Sequence, residues 1–152
     1  MNDNISPHFL KREFTFSETA ARMGREVIPT DLQWFNVERL CNDLLEPIRN
    51  RLGRVMVITS GVRPDWLNLA IGGSATSAHM DGLAADVKVA GMTPTVFARW
   101  VQNNGFVVDQ CIKEFDSWVH LSVAKAGEKP RQQFLTARKV NGKTVYEQGI
   151  NE

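Results

Sequence analysis

The sequence predicts an α+β fold: a single domain over residues 1–152 with a small, mostly antiparallel sheet packed by helices. The chain is 152 residues long, the usual size of one domain and enough to bury a real core. Helix-period and strand-like runs share this length, and no repeat, low-complexity tract or linker divides them. Asn141-Gly142 between short extended runs is the strongest local signal for a two-residue hairpin turn.

The elements follow in order. Ser17 before Glu18-Thr19-Ala20-Ala21-Arg22-Met23, with Gly24 as a stop, gives a short helix. From Asp31, Leu32, Phe35, Leu40, Leu44, Leu45, Ile48 and Leu52 recur at three- and four-residue steps, predicting the longest helix with one apolar face. Pro47 lies inside it, where the missing donor and the ring clash should bend the final turn or shift its packing. Val55 to Ile58, after Gly53, reads as a buried strand, and Pro64 suits the first turn of a helix through Leu69 that Gly72-Gly73 ends. Leu83 to Val89 reads as a strand. Thr93-Pro94 caps and opens a helix burying Val96, Phe97, Trp100 and Val101, which Asn103-Asn104-Gly105 stops. Phe106 to Ile112 and Trp118 to Val123 read as two further strands, and the Asn141-Gly142 hairpin is expected at the periphery.

Composition narrows the function. Lys and Arg number 18 against 17 Asp and Glu with no basic block, which argues against nucleic acid as the main partner. No apolar run approaches the roughly 20 residues that span a bilayer, and MNDNISPHFLKREF offers no signal-peptide stretch, so synthesis in a cytoplasm without membrane insertion is expected. Cys41 and Cys111 are expected as buried free thiols. A core of this size needs no metal to fold, so any metal serves function.

Of three histidines, His79 and His120 lie in polar settings beside predicted strands. Seven residues after His79, past the flexible Gly82 and the small Ala84 and Ala85, Asp86 can fold back towards the imidazole. His120 comes from another strand, in the apolar run Trp118-Val119-His120-Leu121. Two His and one Asp are three ligands, which leave a fourth zinc position for water. That water needs a base, and Glu114, Asp116 and Ser117 are at hand. If Phe115-Asp116-Ser117 form a three-residue turn, Glu114 pairs with Trp118 and becomes His120's diagonal neighbour on one face, at roughly 7–8 Å. A two-residue turn at Asp116-Ser117 puts Glu114 on the opposite face instead.

The chain resembles the M15 family of peptidases, close to the D-Ala-D-Ala carboxypeptidases of phages and bacteria. The likeness runs through His8-Phe9, Phe14-Thr15-Phe16-Ser17-Glu18, Leu45-Glu46-Pro47-Ile48-Arg49, Thr59-Ser60-Gly61-Val62-Arg63-Pro64, Asn68, Gly72-Gly73 and Trp118-Val119-His120. Its most specific piece is His79-x-x-Gly82-x-Ala84-x-Asp86. The resemblance implies zinc on His79, Asp86 and His120, and a substrate- or carbonyl-steadying arginine at Arg63. Some members carry an acidic base three residues before the last histidine, where this chain has Ser117. The related Hedgehog-type domains have Glu six residues before it, which matches Glu114.

The resulting expectation is a zinc peptidase that works as a monomer on peptidoglycan stem peptides next to D-amino acids. Glu114 and Arg63 are its catalytic residues, and Arg63, Ser77 and Trp118 contact substrate. Phage lysis or a virion-associated role at the bacterial cell wall fits a chain made without a signal peptide. A non-catalytic zinc-containing binding module or wall-binding virion protein is the alternative, favoured by Ser117. His8 is expected to pack or cap locally, and Trp66 and Trp100 to serve the core or a site wall.

Overall fold

The structure is a computed structural model that describes residues 3–152. Strands β1 (Asn4–Ser6) and β2 (Phe9–Leu10) form a small antiparallel ribbon. Helix α1 (Glu18–Arg22) starts at Ser17, whose hydroxyl accepts from the Ala20 amide at 3.2 Å, as its sequence predicts. Helix α2 (Asp31–Leu40) is opened by a capping box in which Thr30 and Gln33 satisfy each other's amides. It passes through a widened π turn (Cys41–Leu45) into α3 (Glu46–Leu52).

Pro47 explains the wide turn. It has no amide to give Asp43, and its ring would strike that carbonyl, so the chain spreads by one residue just before it and the Glu46 amide reaches back to Cys41 O. The predicted apolar face survives in Leu40, Leu44, Leu45 and Ile48, all fully buried, but Leu32 and Phe35 are exposed. Within α2 the covered side carries Asn36, Val37 and Leu40, and Leu32 and Phe35 lie off it.

The main sheet is built from β3 (Met56–Ser60), β4 (Ala84–Val89), β5 (Gln110–Glu114), β6 (Trp118–Ser122), β7 (Gln133–Val140) and β8 (Lys143–Gln148). Its order is β3-β4-β6-β5-β7-β8, antiparallel throughout except between β5 and β7. Helix α4 (Asp65–Ala70) follows β3, and α5 (Pro94–Asn103), capped by Thr93, follows β4. No helix among the described residues is long and apolar enough to cross a membrane.

Three expectations need correction. β3 is not buried on both sides: it is an edge strand, with Met56 and Ile58 inward and Val55 and Val57 exposed. Val96 is exposed on α5, whose covered face is Phe97, Ala98 and Val101. The run from Phe106 enters the sheet only at Gln110 and continues to Glu114. The Asn141-Gly142 turn is where its sequence places it, both residues at positive φ (52° and 77°), yet its hairpin is no appendage, because β7 docks in parallel on β5.

Alternation along the strands sorts the sheet into two faces. Ala85, Val87, Cys111, Val119 and Leu121 join the helices in the main core. Asp86, His120, Ile112 and Glu114 occupy the other face. Both cysteines are buried free thiols, and burial pushes Cys41 up to about 12.

Candidate metal centre and active site

The loop from Ser77 to Gly82 is fastened from three sides. Ala78–Asp81 forms a short 3₁₀ turn capped by the Ser77 hydroxyl, which accepts from the His79 amide at 3.3 Å. Gln33 Nε2 and Asn36 Nδ2 on α2 donate to the Met80 and Asp81 carbonyls at 2.7 and 2.8 Å. Gly82 ends the turn at φ 75°, and a Cβ there would lie 2.6 Å from the Gln33 carbonyl oxygen, so both backbone conformation and the closeness of α2 demand glycine. On the third side the Arg63 amide donates to His79 O at 2.9 Å. His79 Nδ1 lies 2.8 Å from Gly61 O. A carbonyl only accepts, so a proton sits on Nδ1, and Nε2 is the ring atom turned towards Asp86 and His120.

That Nε2 is 3.1 Å from Asp86 Oδ1 and 3.2 Å from His120 Nδ1, and the last two are 3.3 Å apart. All three residues are buried. Asp86 and His120 are direct cross-strand partners on β4 and β6, which fixes two corners of the triangle. A tetrahedral ion with bonds of about 2.0–2.1 Å sets its ligand atoms about 3.3 Å apart, so the donor set fits zinc in type and spacing. The Gly61 carbonyl that orients His79 is the kind of support that metal-bound imidazoles require. His120 Nε2 is buried without a partner among the described residues. Burial pushes the Asp86 carboxyl up, but the two imidazoles pull it well below the ordinary range. Burial pulls His120 down, and the Asp86 carboxylate, with Glu114, more than restores it.

The turn after β5 is the three-residue one. Glu114 pairs with Trp118, Ile112 with His120, and the Ser117 amide donates to Glu114 O at 3.0 Å. Glu114 therefore shares the face of His120 and Asp86. Its Oε1 accepts from Trp118 Nε1 at 2.7 Å, which fixes the direction of the carboxylate. Burial raises its pKa above the usual carboxylate range, with the Asp86 charge pushing the same way against His120. Asp116 lies at the loop tip, exposed, and pairs with Lys113 Nζ at 2.7 Å, on a strand position facing away from His120. Ser117 is exposed and donates to Phe115 O.

Arg63 projects from the loop after β3. Its Nη2 donates to Ser77 Oγ at 3.0 Å, and its Nε is buried without a partner among the described residues. Ser77 makes no hydrogen bond to Asp86; it caps its own turn and steadies Arg63. A cleft of about 480 Å³ joins the triad, Arg63, Ser77, Glu114 and Trp118. A neighbouring cleft of about 510 Å³ shares Arg63 but none of the three ligand candidates. His8 lies elsewhere, with Nδ1 2.7 Å from Glu46 Oε2, tying the ribbon to α3. Trp66 stacks under the Arg25 guanidinium at 3.9 Å from its ring centroid, and Trp100 packs on Phe106. Sequence reading missed Lys139, Thr144 and Tyr146, which also line the cleft. The only hint was that Tyr146 is the chain's single tyrosine.

Two imidazoles and a carboxylate around one point, beside a second carboxylate in an open cleft, form the donor set of a mononuclear metallohydrolase. The model of the peptidase M15 family matches residues 7–122, and the chain belongs to that family of peptidases. Among curated proteins none matches the chain. The matched span holds the whole triad, Arg63 and Glu114.

Proposed function

We propose that this peptidase is zinc-dependent and hydrolyses peptide bonds next to D-amino acids in peptidoglycan stem peptides, as a carboxypeptidase or endopeptidase. The observation that carries the reading is the buried triangle of His79, Asp86 and His120 with Glu114 on the same sheet face. A zinc ion held by these three side chains supplies acidification of a water and polarisation of the scissile carbonyl. Glu114 takes the proton of the attacking water and delivers it to the leaving amine; its raised pKa suits both halves of that task. Trp118 keeps the carboxylate pointed. Arg63, anchored by Ser77, uses its remaining donors on the substrate or the developing oxyanion. The Ser77 hydroxyl accepts from Arg63 and keeps its own hydrogen for substrate. The setting that fits this chemistry is the bacterial cell wall, reached during phage lysis or from a virion.

Ser117, standing where some family members have an acid, favours a second reading as a zinc-containing module that binds wall peptides without cleaving them. Digestion of purified cell walls, with products read by mass spectrometry, separates the two. The peptidase reading expects release of D-amino acids or cleaved stem peptides, loss of release with chelator, and recovery with zinc. Wall binding with no new product supports the module.

A further inference from the structure

The hairpin of β7 and β8 lies beyond the matched residues 7–122, yet it walls the cleft through Lys139, Thr144 and Tyr146. Its parallel docking puts it there. Glu114 faces Trp118 on one side and Ala137 on the other, and Ala137 faces Tyr146. Directly opposed residues share a face, so Trp118, Glu114, Ala137 and Tyr146 form one row, with only a methyl between the carboxylate and the phenol. Lys139 and Thr144 are the next pair along the same face.

The other face of the hairpin is clamped. Thr136 Oγ1 donates to Gly149 O and accepts from the Asn151 amide, both at 2.8 Å. Arg138 holds Glu147 at 3.0 Å, and Lys113 Nζ bonds Asn151 O. The cleft side of the hairpin is more sparsely bonded among the described residues. Lys139 Nζ touches only Thr144 Oγ1, at 3.1 Å, and lies 5.3 Å from the Phe115 ring centroid; no carboxylate pairs with it among the described residues. The Tyr146 hydroxyl makes no hydrogen bond there either. Phe115 itself is held at φ 55°, a conformation uncommon for such a residue, and its ring lies beneath the ammonium.

We propose that Lys139 and Tyr146 form a subsite for a carboxylate of the peptide substrate, a proposal that rests on the peptidase reading above. The hairpin wall of the cleft offers an ammonium with no carboxylate partner and a phenol with no hydrogen bond among the described residues, a pair of donors suited to a carboxylate. Burial, then the Glu114 charge, pushes the phenol above its ordinary range, which keeps it a neutral donor. The carboxylate is either the C-terminal one or a side-chain one of the stem peptide.

The test compares the zinc-loaded chain with Lys139→Gln and Tyr146→Phe on three synthetic stem peptides ending in D-Ala-D-Ala: unmodified, amidated at the C-terminus, and amidated on the side-chain carboxylate. Each variant is expected to raise KM about tenfold on the unmodified peptide, with kcat within about twofold and the thermal midpoint unchanged. That loss should vanish on one amidated peptide, which identifies the carboxylate. KM values equal to wild type on all three, or equal losses on all three, overturn the subsite. If wild type cleaves none of them, the peptidase reading fails. Calorimetric binding of the same peptides then decides the subsite: about tenfold weaker binding in the variants supports it, and equal or absent binding overturns it.

Discussion

Val119, His120 and Leu121 are consecutive residues of β6 that serve opposite faces of one sheet. Val119 and Leu121 pack among the helices with Val87 and Cys111, while His120 faces Asp86 and His79 across the strand boundary. One face is closed and apolar, so its contribution is additive packing and its tolerance is set by volume. The other, in the proposed reading, is a set of atoms whose separations must match one ion, which sets its tolerance in tenths of an ångström. The same alternation that stabilises the fold thus delivers the proposed ligands, and stability and chemistry should be separable by moving one residue along the strand.

The largest effect comes from the strongest contrast. His120→Ala should drop hydrolysis to background and abolish zinc binding while thermal unfolding stays near wild type. Leu121→Ala should instead cost about 2–5 kcal/mol of stability and keep one zinc per folded molecule, measured by denaturant unfolding and metal analysis. Equal stability losses for the two would break the two-face account.

Next comes the base. Glu114→Gln should lower turnover roughly 10²–10⁴-fold at unchanged zinc content. Asp116→Asn, altering a group paired with Lys113 behind the sheet, should change turnover less than about twofold. A reversed order would transfer the proton-transfer role to the loop tip. The smallest effect tests the joint between the faces. Gly82→Ala should destabilise by about 1–3 kcal/mol through its left-handed backbone and weaken zinc as well, because α2 and the His79 loop must part. Stability loss with full zinc affinity would show that the loop is not positioned by α2.

Much of this contrast is legible in the sequence. The caps at Ser17 and Thr93, the Asn141-Gly142 turn and the alternation of Trp118-Val119-His120-Leu121-Ser122 are local signals, and local chemistry decides them. The turn after Glu114 is legible only as a choice, since either loop length closes a hairpin; the left-handed Phe115 and Asp116 settle it. Leu32 and Phe35 deceive because three- and four-residue steps alone do not keep residues on one side at 3.6 residues per turn; the covered side of α2 runs through Asn36, Val37 and Leu40 instead. The hairpin wall is invisible because parallel pairing of β5 with β7 joins segments about twenty residues apart with no shared local pattern.

The central claim is that the triangle of His79, Asp86 and His120 is a single zinc site on which hydrolysis depends. Titrating the metal-depleted chain with zinc, while recording bound metal and peptide hydrolysis together, tests it most directly. The account predicts saturation at one zinc per chain, activity rising in step with occupancy, and an unchanged far-UV circular dichroism spectrum, since the core folds without metal. Hydrolysis that persists in the metal-depleted chain, or zinc uptake unchanged in His79→Ala, would contradict it.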